Sequence, residues 1–374
     1  MSAALSGLLV ADFSRVLAGP YATMLLADLG AEVVKVERPG SGDDTRAWGP
    51  PYGPAGEATY FLGVNRNKRS IALDLRADVD VARALAARAD VLVENFRPGT
   101  MDRLGLGYDA LRELNPGLIH CSITGFGSGA GAGLPGYDLI AQAVGGLMSV
   151  TGEPDGPGTK AGVALVDVIT GLHAALGILA ALRHRDRTGE GQRIEVSLLS
   201  SLLSALTNHA SAYAAAGVVP RAMGNRHPSI VPYEVFETAD RPLVIAAGND
   251  RLFQALCETL GRQDLTQDPR YATNAGRVAA REELVAELNA ALRERPADEW
   301  FELLTAAGVP CGPINDLAAA FALADELGLE PAVELGGVGQ VANPIRLSAT
   351  PPSYRRPPPA LGQDDAWVRE ILGP

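Results

Sequence analysis

The chain has 374 residues, and its 44 acidic and 32 basic side chains give a formal net charge of −12. This charge argues against nucleic acid and anionic membranes as partners, because both require clustered positive potential. A hydrophobic content of 47% excludes a disordered chain. The chain has only three cysteines, which form no CxxC pair, and this excludes a disulfide scaffold and a zinc ribbon and favours the cytoplasm. Only three of the basic residues are lysines, a bias typical of a GC-rich bacterial genome.

The first half of the chain alternates short β-branched runs with helical runs. Strands are predicted at residues 8–13, 32–36, 70–73, 90–94 and 118–124. Helices are predicted between them at residues 21–29, 79–88 and 108–114. This alternation predicts parallel βαβ units and therefore an α/β domain.

Two long apolar helices are predicted next, at residues 166–185 and 197–216, with a short strand at 193–196 between them. A helix that is hydrophobic nearly all round is buried on most sides, which suggests a large core between domains or subunits. The run 161–182 is apolar enough to resemble a membrane span. Asp167 and His173 lie inside it, however, and a carboxylate at mid-membrane is costly, so we expect a buried helix instead.

From about Gly224 the pattern changes to a smaller α+β domain. A hairpin is predicted at residues 231–238 and 242–247, followed by helices at 250–260, 281–293 and 297–307. The proline-rich tail is expected to form an extended wrap. We therefore predict a large α/β domain at residues 1–196, completed by the segment 319–374. A linker helix at 197–223 would lead into the small domain at 224–318.

A nicotinamide cofactor is not expected. The first βα unit is similar to a dinucleotide-binding fold, but its loop, residues 14–20, has no GxGxxG fingerprint. The P-loop, HExxH and GxSxG motifs are also missing from the sequence. No metal site is predicted.

Asp167 is a carboxylate inside an apolar run and has two interpretations. It could be an N-cap, which satisfies free amides at a helix start. It could also be a nucleophile that the helix dipole keeps ionised, with Gly171 leaving space one turn later. The two interpretations are compatible.

Basic residues are unusually dense in the first third of this acidic chain. They could form a solvated loop face or a phosphate-binding rim for an anionic ligand. The residues in question are Arg38, Arg46, Lys68, Arg69, Arg76, Arg97 and Arg103.

Six motifs in order resemble the family III CoA-transferases, which include formyl-CoA, carnitine and bile-acid transferases. They are VLAGP at 16–20, VERPGSGD at 36–43, NKRS at 67–70, VENFRPG at 93–99, GYD at 136–138 and Asp167. GVPCGP at 308–313 and LG at 361–362 extend the resemblance over essentially the whole chain.

The resemblance implies a fold and a set of site residues. The fold would be a Rossmann-like large α/β domain plus a smaller α+β domain, in an interlocked homodimer of two intertwined rings. Asp167 matches the nucleophilic aspartate. Relatives hold coenzyme A at the positions of Leu17, Arg38, Leu73, Arg76, Asn95, Phe96, Arg97 and Arg103. Gly136, Tyr137 and Asp138 match a segment that lines the acyl site.

The implied reaction moves CoA from an acyl-CoA thioester to a free carboxylic acid through aspartyl anhydride and aspartyl-CoA thioester intermediates. Every nucleophile in it is already an anion, so it needs no metal and no external base. Coenzyme A enters as a substrate, and no tightly bound cofactor is expected. Backbone amides near Asp167 would stabilise each oxyanion.

Two departures from the formyl-CoA transferases bear on the substrate. Those enzymes carry glutamine at the position of Leu17, and their four-glycine loop has no match at residues 223–230. Formate and oxalate are thereby disfavoured, and a dicarboxylic or hydroxy acid with a succinyl-CoA-like donor is predicted.

Two alternatives remain open. An α-methylacyl-CoA racemase of the same fold needs a histidine where this chain has Tyr137, and tyrosine is a poor base for α-protons. The other alternative is a non-catalytic CoA-binding protein. Asp167 argues against it, because a buried charge brings a binder little benefit.

Overall fold

The structure is a computed structural model that describes residues 3–373. The strands are β1 (Leu9–Asp12), β2 (Glu32–Glu37), β3 (Lys68–Ala72), β4 (Val91–Glu94), β5 (Ile119–Thr124), β6 (Arg193–Ser197), β7 (Tyr233–Phe236), β8 (Leu243–Ala246), β9 (Cys311–Pro313), β10 (Ala332–Leu335) and β11 (Val338–Val341). Helices α1 to α8 are Ala18–Asp28, Thr59–Leu62, Val79–Arg88, Thr100–Arg103, Tyr108–Leu114, Asp138–Val144, Leu147–Val150 and Leu165–Thr188. Helices α9 to α17 are Leu198–Ala205, Thr207–Ala216, Asp250–Thr259, Gln263–Gln267, Asn274–Ala279, Arg281–Leu292, Ala297–Ala306, Leu317–Glu326 and Asp365–Leu372.

The large sheet is parallel, and within residues 3–373 its strand order is β3-β2-β1-β4-β5-β6. The chain runs outward from β1 to β3 and then returns to the other side of β1 for β4. This reversal is a topological switch point, where the loops after β1 and β4 diverge and leave a crevice at the carboxyl ends of the strands. The predicted α/β class is confirmed.

Two apolar layers cover the sheet. On one face α1 and α8 pack on β1, β4 and β5 through a buried cluster that includes Ala22, Leu26, Ala174 and Ile178. On the other face α3 and α5 contribute to a cluster that also includes Val368 of the C-terminal helix α17. The sheet is therefore enclosed on both sides, and its edge of loops carries the polar chemistry.

Buried ion pairs lie beneath those loops. The Lys68 ammonium donates to Asp12 at 3.0 Å, and the Lys35 ammonium donates to Asp43 at 2.8 Å, with all four side chains inaccessible to solvent. Burial lowers the pKa of Lys68 to about 8, although Asp12 opposes the shift. A buried pair of this kind contributes little net stability, and breaking it leaves an uncompensated charge.

Three of the basic residues predicted as a loop face or phosphate rim are engaged elsewhere. Lys68 is buried against Asp12, Arg46 binds Glu37, and Arg69 bridges Glu32 and Asp364. Neither interpretation holds for them, because each of these side chains already forms an ion pair with a carboxylate of this chain.

The predicted helix at 197–216 is wrong as a single element. It is two helices, α9 and α10, which separate at Leu206 before Thr207 adopts a φ of 38°. The proline-rich tail contains no helix or strand from residue 351 to residue 360, as predicted, and the backbone N–H groups of Arg355 and Arg356 donate to Asn67 there. The antiparallel pair β10–β11 precedes this segment and the helix α17 follows it.

Contacts divide the chain into two compact units. One comprises the described residues up to Met148 together with Lys160–Val219 and those from Glu330 onward; the other comprises Ser149–Thr159 and Pro220–Leu329. The contact pattern thus groups residues 149–159 and 319–329 with the second unit, whereas the sequence assigned them to the large domain. In the second unit β7, β8 and β9 form an antiparallel sheet, and helices α11, α14 and α15 share its apolar core.

The long helix α8 is less buried than its composition predicts. Leu172, Leu176 and Leu179 are 46%, 65% and 37% exposed and lie on one face, because their spacing is four and then three residues. Among the described residues α8 is also the one helix long and apolar enough to cross a membrane, by length and composition alone. The rest of its surface packs on α1, β5 and β6.

Candidate active site

Asp167 lies in the first turn of α8, two residues after the helix begins at Leu165. The N-cap interpretation is therefore wrong, since the capping position belongs to Ala164, which has no side-chain cap. Asp138 supplies the missing acceptor from the start of α6. Its Oδ1 accepts from the backbone N–H groups of Val166 at 2.8 Å and Asp167 at 3.1 Å. A distant carboxylate thus satisfies free amides that a local cap normally satisfies.

The pKa of the Asp167 carboxyl is raised to about 7. Burial is the main cause, and the neighbouring charge of Asp138 adds to it. The sequence predicts that the helix dipole keeps this group ionised, and burial and Asp138 act against that effect. At neutral pH a large fraction of Asp167 is ionised, and this anion is poorly solvated, which favours attack on a carbonyl carbon.

A cavity of about 200 Å³ opens beside Asp167. The loop after β1 supplies Val16 and Leu17, the loop after β4 supplies Asn95 to Pro98, and residues 134–137 close another side. Of the predicted site residues, Leu17, Asn95, Phe96, Arg97, Gly136, Tyr137 and Asp167 line this cavity.

A second cavity, of about 910 Å³, lies along the same edge of the sheet. Of the predicted residues, Arg38, Leu73, Arg76, Phe96 and Arg103 line it. Phe96 and Arg15 belong to the walls of both cavities. One chamber is small and contains a carboxylate, and the other is large, rich in arginine and able to accept an extended anion.

The loop after β1 is held in an unusual conformation. Val16 has a φ of 71°, which a β-branched residue rarely adopts. Its N–H donates to the Asp43 carboxylate, with both oxygens at 3.3 Å. Burial alone would raise the pKa of Asp43, but Lys35 and hydrogen bonds from Thr45 hold it at about 2. A permanently ionised acceptor therefore fixes the backbone between Arg15 and Leu17.

Gly171 brings α8 against the start of α1. A Cβ at this position would lie 2.6 Å from the carbonyl oxygen of Ala18. The space that the sequence attributed to this glycine is thus occupied by another helix. The close approach places the N-terminus of α1 and Asp167 in the same cavity.

Two predicted binding residues have side chains that are already engaged. Asn95 accepts from the backbone N–H of Arg15 at 2.9 Å and donates to its carbonyl at 2.7 Å. Asp138 holds α8, and its second oxygen accepts from Gln142 at 2.6 Å. Both side chains therefore position other groups, and contact with a ligand through these side-chain atoms would break existing hydrogen bonds.

Sequence reasoning missed two residues near the site. Arg15 lines both cavities, and its position directly after β1 at a switch point was the available signal. Burial, followed by the charge of Asp167, raises the pKa of Tyr60, so this phenol lies near the carboxylate. Tyr60 packs edge-on against Trp48 at 5.4 Å, on the short helix α2, which no sequence pattern indicated.

Comparison with known proteins agrees with the resemblance. Residues 5–365 match the family described as CoA-transferase family III. The chain belongs to this family and is a CoA-transferase, with acyl-CoA as a substrate.

Similar proteins cover nearly the full chain. It is 46% identical to the succinyl-CoA:glutarate CoA-transferase of Mus musculus over 98% of this chain and 86% of that protein. It is 44% identical to the acetyl-CoA:oxalate CoA-transferase of Acetobacter aceti over 97% of this chain and 94% of that protein. A crystal structure of a CAIB/BAIF family protein from Brucella suis has a TM-score of 0.89 at 42% identity, with full coverage of both chains.

Proposed function

We propose that this enzyme transfers CoA between dicarboxylic acids, with Asp167 as the covalent carrier. The observation that carries the proposal is the position of a partly buried carboxylate in a small chamber beside a large arginine-lined one. The first chamber takes the acyl group and the second takes the coenzyme.

The reaction proceeds in four displacements. Asp167 attacks the thioester carbonyl, and the C–S bond breaks to give a mixed anhydride and CoA thiolate. The thiolate attacks the aspartyl carbonyl, which releases the donor acid and leaves an aspartyl-CoA thioester. The acceptor carboxylate attacks this thioester and expels the thiolate, which then attacks the acceptor's acyl carbonyl and frees Asp167. Atoms and charge balance at each step without water or a proton donor.

Each tetrahedral intermediate places negative charge on a carbonyl oxygen in the small chamber. The first turn of α1 borders that chamber through Leu17 and Ala18, and helix N-termini present N–H groups to anions. We propose these amides as the oxyanion donors. The hydrogen bonds that fix Val16 would then serve to aim them.

The identity of the acids rests on the relatives. Proteins named for succinyl-CoA with glutarate or with mesaconate are 41–46% identical to this chain. Another relative is named for oxalate, so oxalate is again a candidate acceptor, although two departures from the formyl-CoA transferases had argued against it. We therefore propose a dicarboxylic acceptor and a succinyl-CoA-like donor.

We also propose the interlocked homodimer. Its support is the exposed stripe of Leu172, Leu176 and Leu179 on α8, an apolar surface that a partner subunit would cover. A cytoplasmic location, without membrane or nucleic-acid partners, stays a prediction.

The direct test incubates the purified enzyme with succinyl-CoA or acetyl-CoA and a panel of oxalate, succinate, glutarate, mesaconate and monocarboxylic acids. New acyl-CoA species are followed by mass. We expect CoA esters of dicarboxylic acids. Formation of none of them, by a folded enzyme, contradicts the proposed function.

The racemase alternative has its own readout. A racemase exchanges the α-proton of an α-methylacyl-CoA with solvent, whereas CoA transfer leaves that proton in place. In heavy water we expect no enzyme-dependent uptake of deuterium. Rapid uptake that disappears in Asp167→Asn would favour the racemase.

A further inference from the structure

Arg15 is a cation in the wall shared by both cavities, and its charge is incompletely matched. Its Nε is buried and has no hydrogen-bond partner among residues 3–373. Its guanidinium has one long contact, 3.4 Å from Nη1 to Asp44, and the other oxygen of that carboxylate accepts from Arg38. A buried donor without an acceptor is costly, and the guanidinium, whose side chain is 33% exposed, can still offer its accessible N–H groups to an incoming anion.

The backbone that carries this side chain is fixed. Asn95 binds both the N–H and the carbonyl of Arg15, and Asp43 binds the N–H of Val16. The guanidinium lies 5.3 Å from the centre of the Phe96 ring. Stacking of this kind leaves the in-plane N–H donors free to bind a carboxylate in two-pronged fashion.

The small chamber is suited to a short dicarboxylic acid because both Asp167 and Arg15 line it. One carboxyl group of the acid must reach Asp167, and the rest of the acid must fit within about 200 Å³. This volume is below the roughly 300–1,000 Å³ of sites for drug-sized ligands. Leu17, Leu134 and Leu198 give the wall an apolar lining suited to a methylene chain.

We propose that Arg15 binds the distal carboxylate of the dicarboxylic acid and thereby determines specificity. Arg97, the other arginine of this chamber, is exposed to solvent, whereas Arg15 is half-buried. A charge-assisted bond is stronger in the less solvated position. A monocarboxylic acid would leave the guanidinium unpaired, and a site built for a polar group discriminates strongly against the analogue that lacks it. This inference rests on the proposed function.

The test compares acids of equal length, glutarate and pentanoate, as acceptors at saturating succinyl-CoA. In a ping-pong reaction the acceptor's kcat/KM reports its own half-reaction. We expect Arg15→Gln to lower kcat/KM for glutarate by about ten- to a hundredfold and to leave pentanoate unchanged or improved. We expect Arg15→Lys to retain part of the preference for glutarate over pentanoate. Where pentanoate is not turned over, its competitive inhibition constant replaces kcat/KM.

The controls separate this role from others. Arg112→Gln, an exposed position on α5, leaves the glutarate preference unchanged. The affinity for free coenzyme A, measured by calorimetry, is expected to be equal in wild type and Arg15→Gln. The inference is overturned if the ratio of kcat/KM for glutarate to kcat/KM for pentanoate is unchanged in Arg15→Gln. It is also overturned if this variant loses affinity for free coenzyme A and shows no other change. A wild-type enzyme that transfers CoA to no dicarboxylate contradicts the proposed function itself, whatever the variants do.

Discussion

Two influences raise the pKa of Asp167, namely burial and the neighbouring carboxylate of Asp138. The N-terminus of α8 acts in the opposite direction, because it favours the anion. The net effect is a pKa raised to about 7, with burial the larger cause and Asp138 the next. Because the group titrates near physiological pH, the pH dependence of the reaction reports on its role.

The pH dependence of kcat/KM for acyl-CoA follows from this pKa. A protonated Asp167 cannot attack, so kcat/KM rises with pH through about 7 and levels off above it. Asp138→Asn removes the like charge while its amide oxygen can still accept from Val166 and Asp167. We expect the acid limb to move to lower pH in this variant. If the acid limb of the pH profile does not move in Asp138→Asn, the charge of Asp138 does not raise the pKa of Asp167.

Replacement of Asp167, the proposed nucleophile, tests function and stability together. Asp167→Asn cannot form an anhydride, so activity falls to background. A carboxyl with a raised pKa loses folding stability as pH rises from its unfolded value to about 7, by at most about 4 kcal/mol. The asparagine variant escapes this loss. We expect its Tm to equal or exceed the wild-type value, with a larger gain at pH 8 than at pH 5. Near-normal activity would contradict the nucleophile assignment.

At the scale of elements, the site depends on how α8 meets α1. Gly171→Ala places a methyl group 2.6 Å from the Ala18 carbonyl oxygen, so one helix must shift. We expect a loss of about 1–3 kcal/mol in the free energy of unfolding and a lower kcat.

The matched control is Gly177→Ala on the same helix, where the nearest atom is a side-chain methyl of Ile194 at 3.3 Å. A small movement accommodates it, and alanine favours the helix. Denaturant unfolding and kinetics of both variants provide the measurement. Equal behaviour would show that the approach of α8 to α1 has no special importance.

The sequence predicts elements well where the signal is local. The helices Val79–Arg88 and Tyr108–Leu114 begin and end at the predicted residues, and the first five strands differ by only one or two residues at most ends. The break at Thr207 falls in a short polar run, Thr207-Asn208-His209, which contains no glycine or proline to mark it.

The prediction of the site residues also succeeded where the signal is local and failed where it depends on distant residues. Motifs pointed to Asp167 and to three arginines that line the large cavity, Arg38, Arg76 and Arg103, but not to Arg15. The capping of α8 by Asp138 could not be predicted, because it joins residues nearly thirty positions apart. The buried pairs of Lys35 and Lys68 also depend on the folded arrangement of the chain, and for this reason the sequence placed Lys68 on a loop face or a phosphate rim.

At the scale of the whole molecule, the exposed leucines of α8 are the feature that a single chain leaves unexplained. Leu176→Lys puts a charge on the most exposed of the three. If a partner subunit covers this face, we expect dissociation or a markedly lower Tm, measured by sedimentation at micromolar concentration and by thermal unfolding. Leu114→Lys, an exposed leucine on α5, is the control and leaves both unchanged. A wild-type chain that sediments as a stable, folded monomer would contradict the dimer.

The central claim is that Asp167 becomes covalently attached during turnover, and trapping tests it most directly. The enzyme is incubated with succinyl-CoA, quenched with hydroxylamine, digested and examined by mass spectrometry. Hydroxylamine attacks an anhydride or thioester carbonyl, so we predict an aspartyl hydroxamate at Asp167, formed only with acyl-CoA and absent in Asp167→Asn. An enzyme that turns over while the Asp167 peptide remains unmodified would contradict the mechanism.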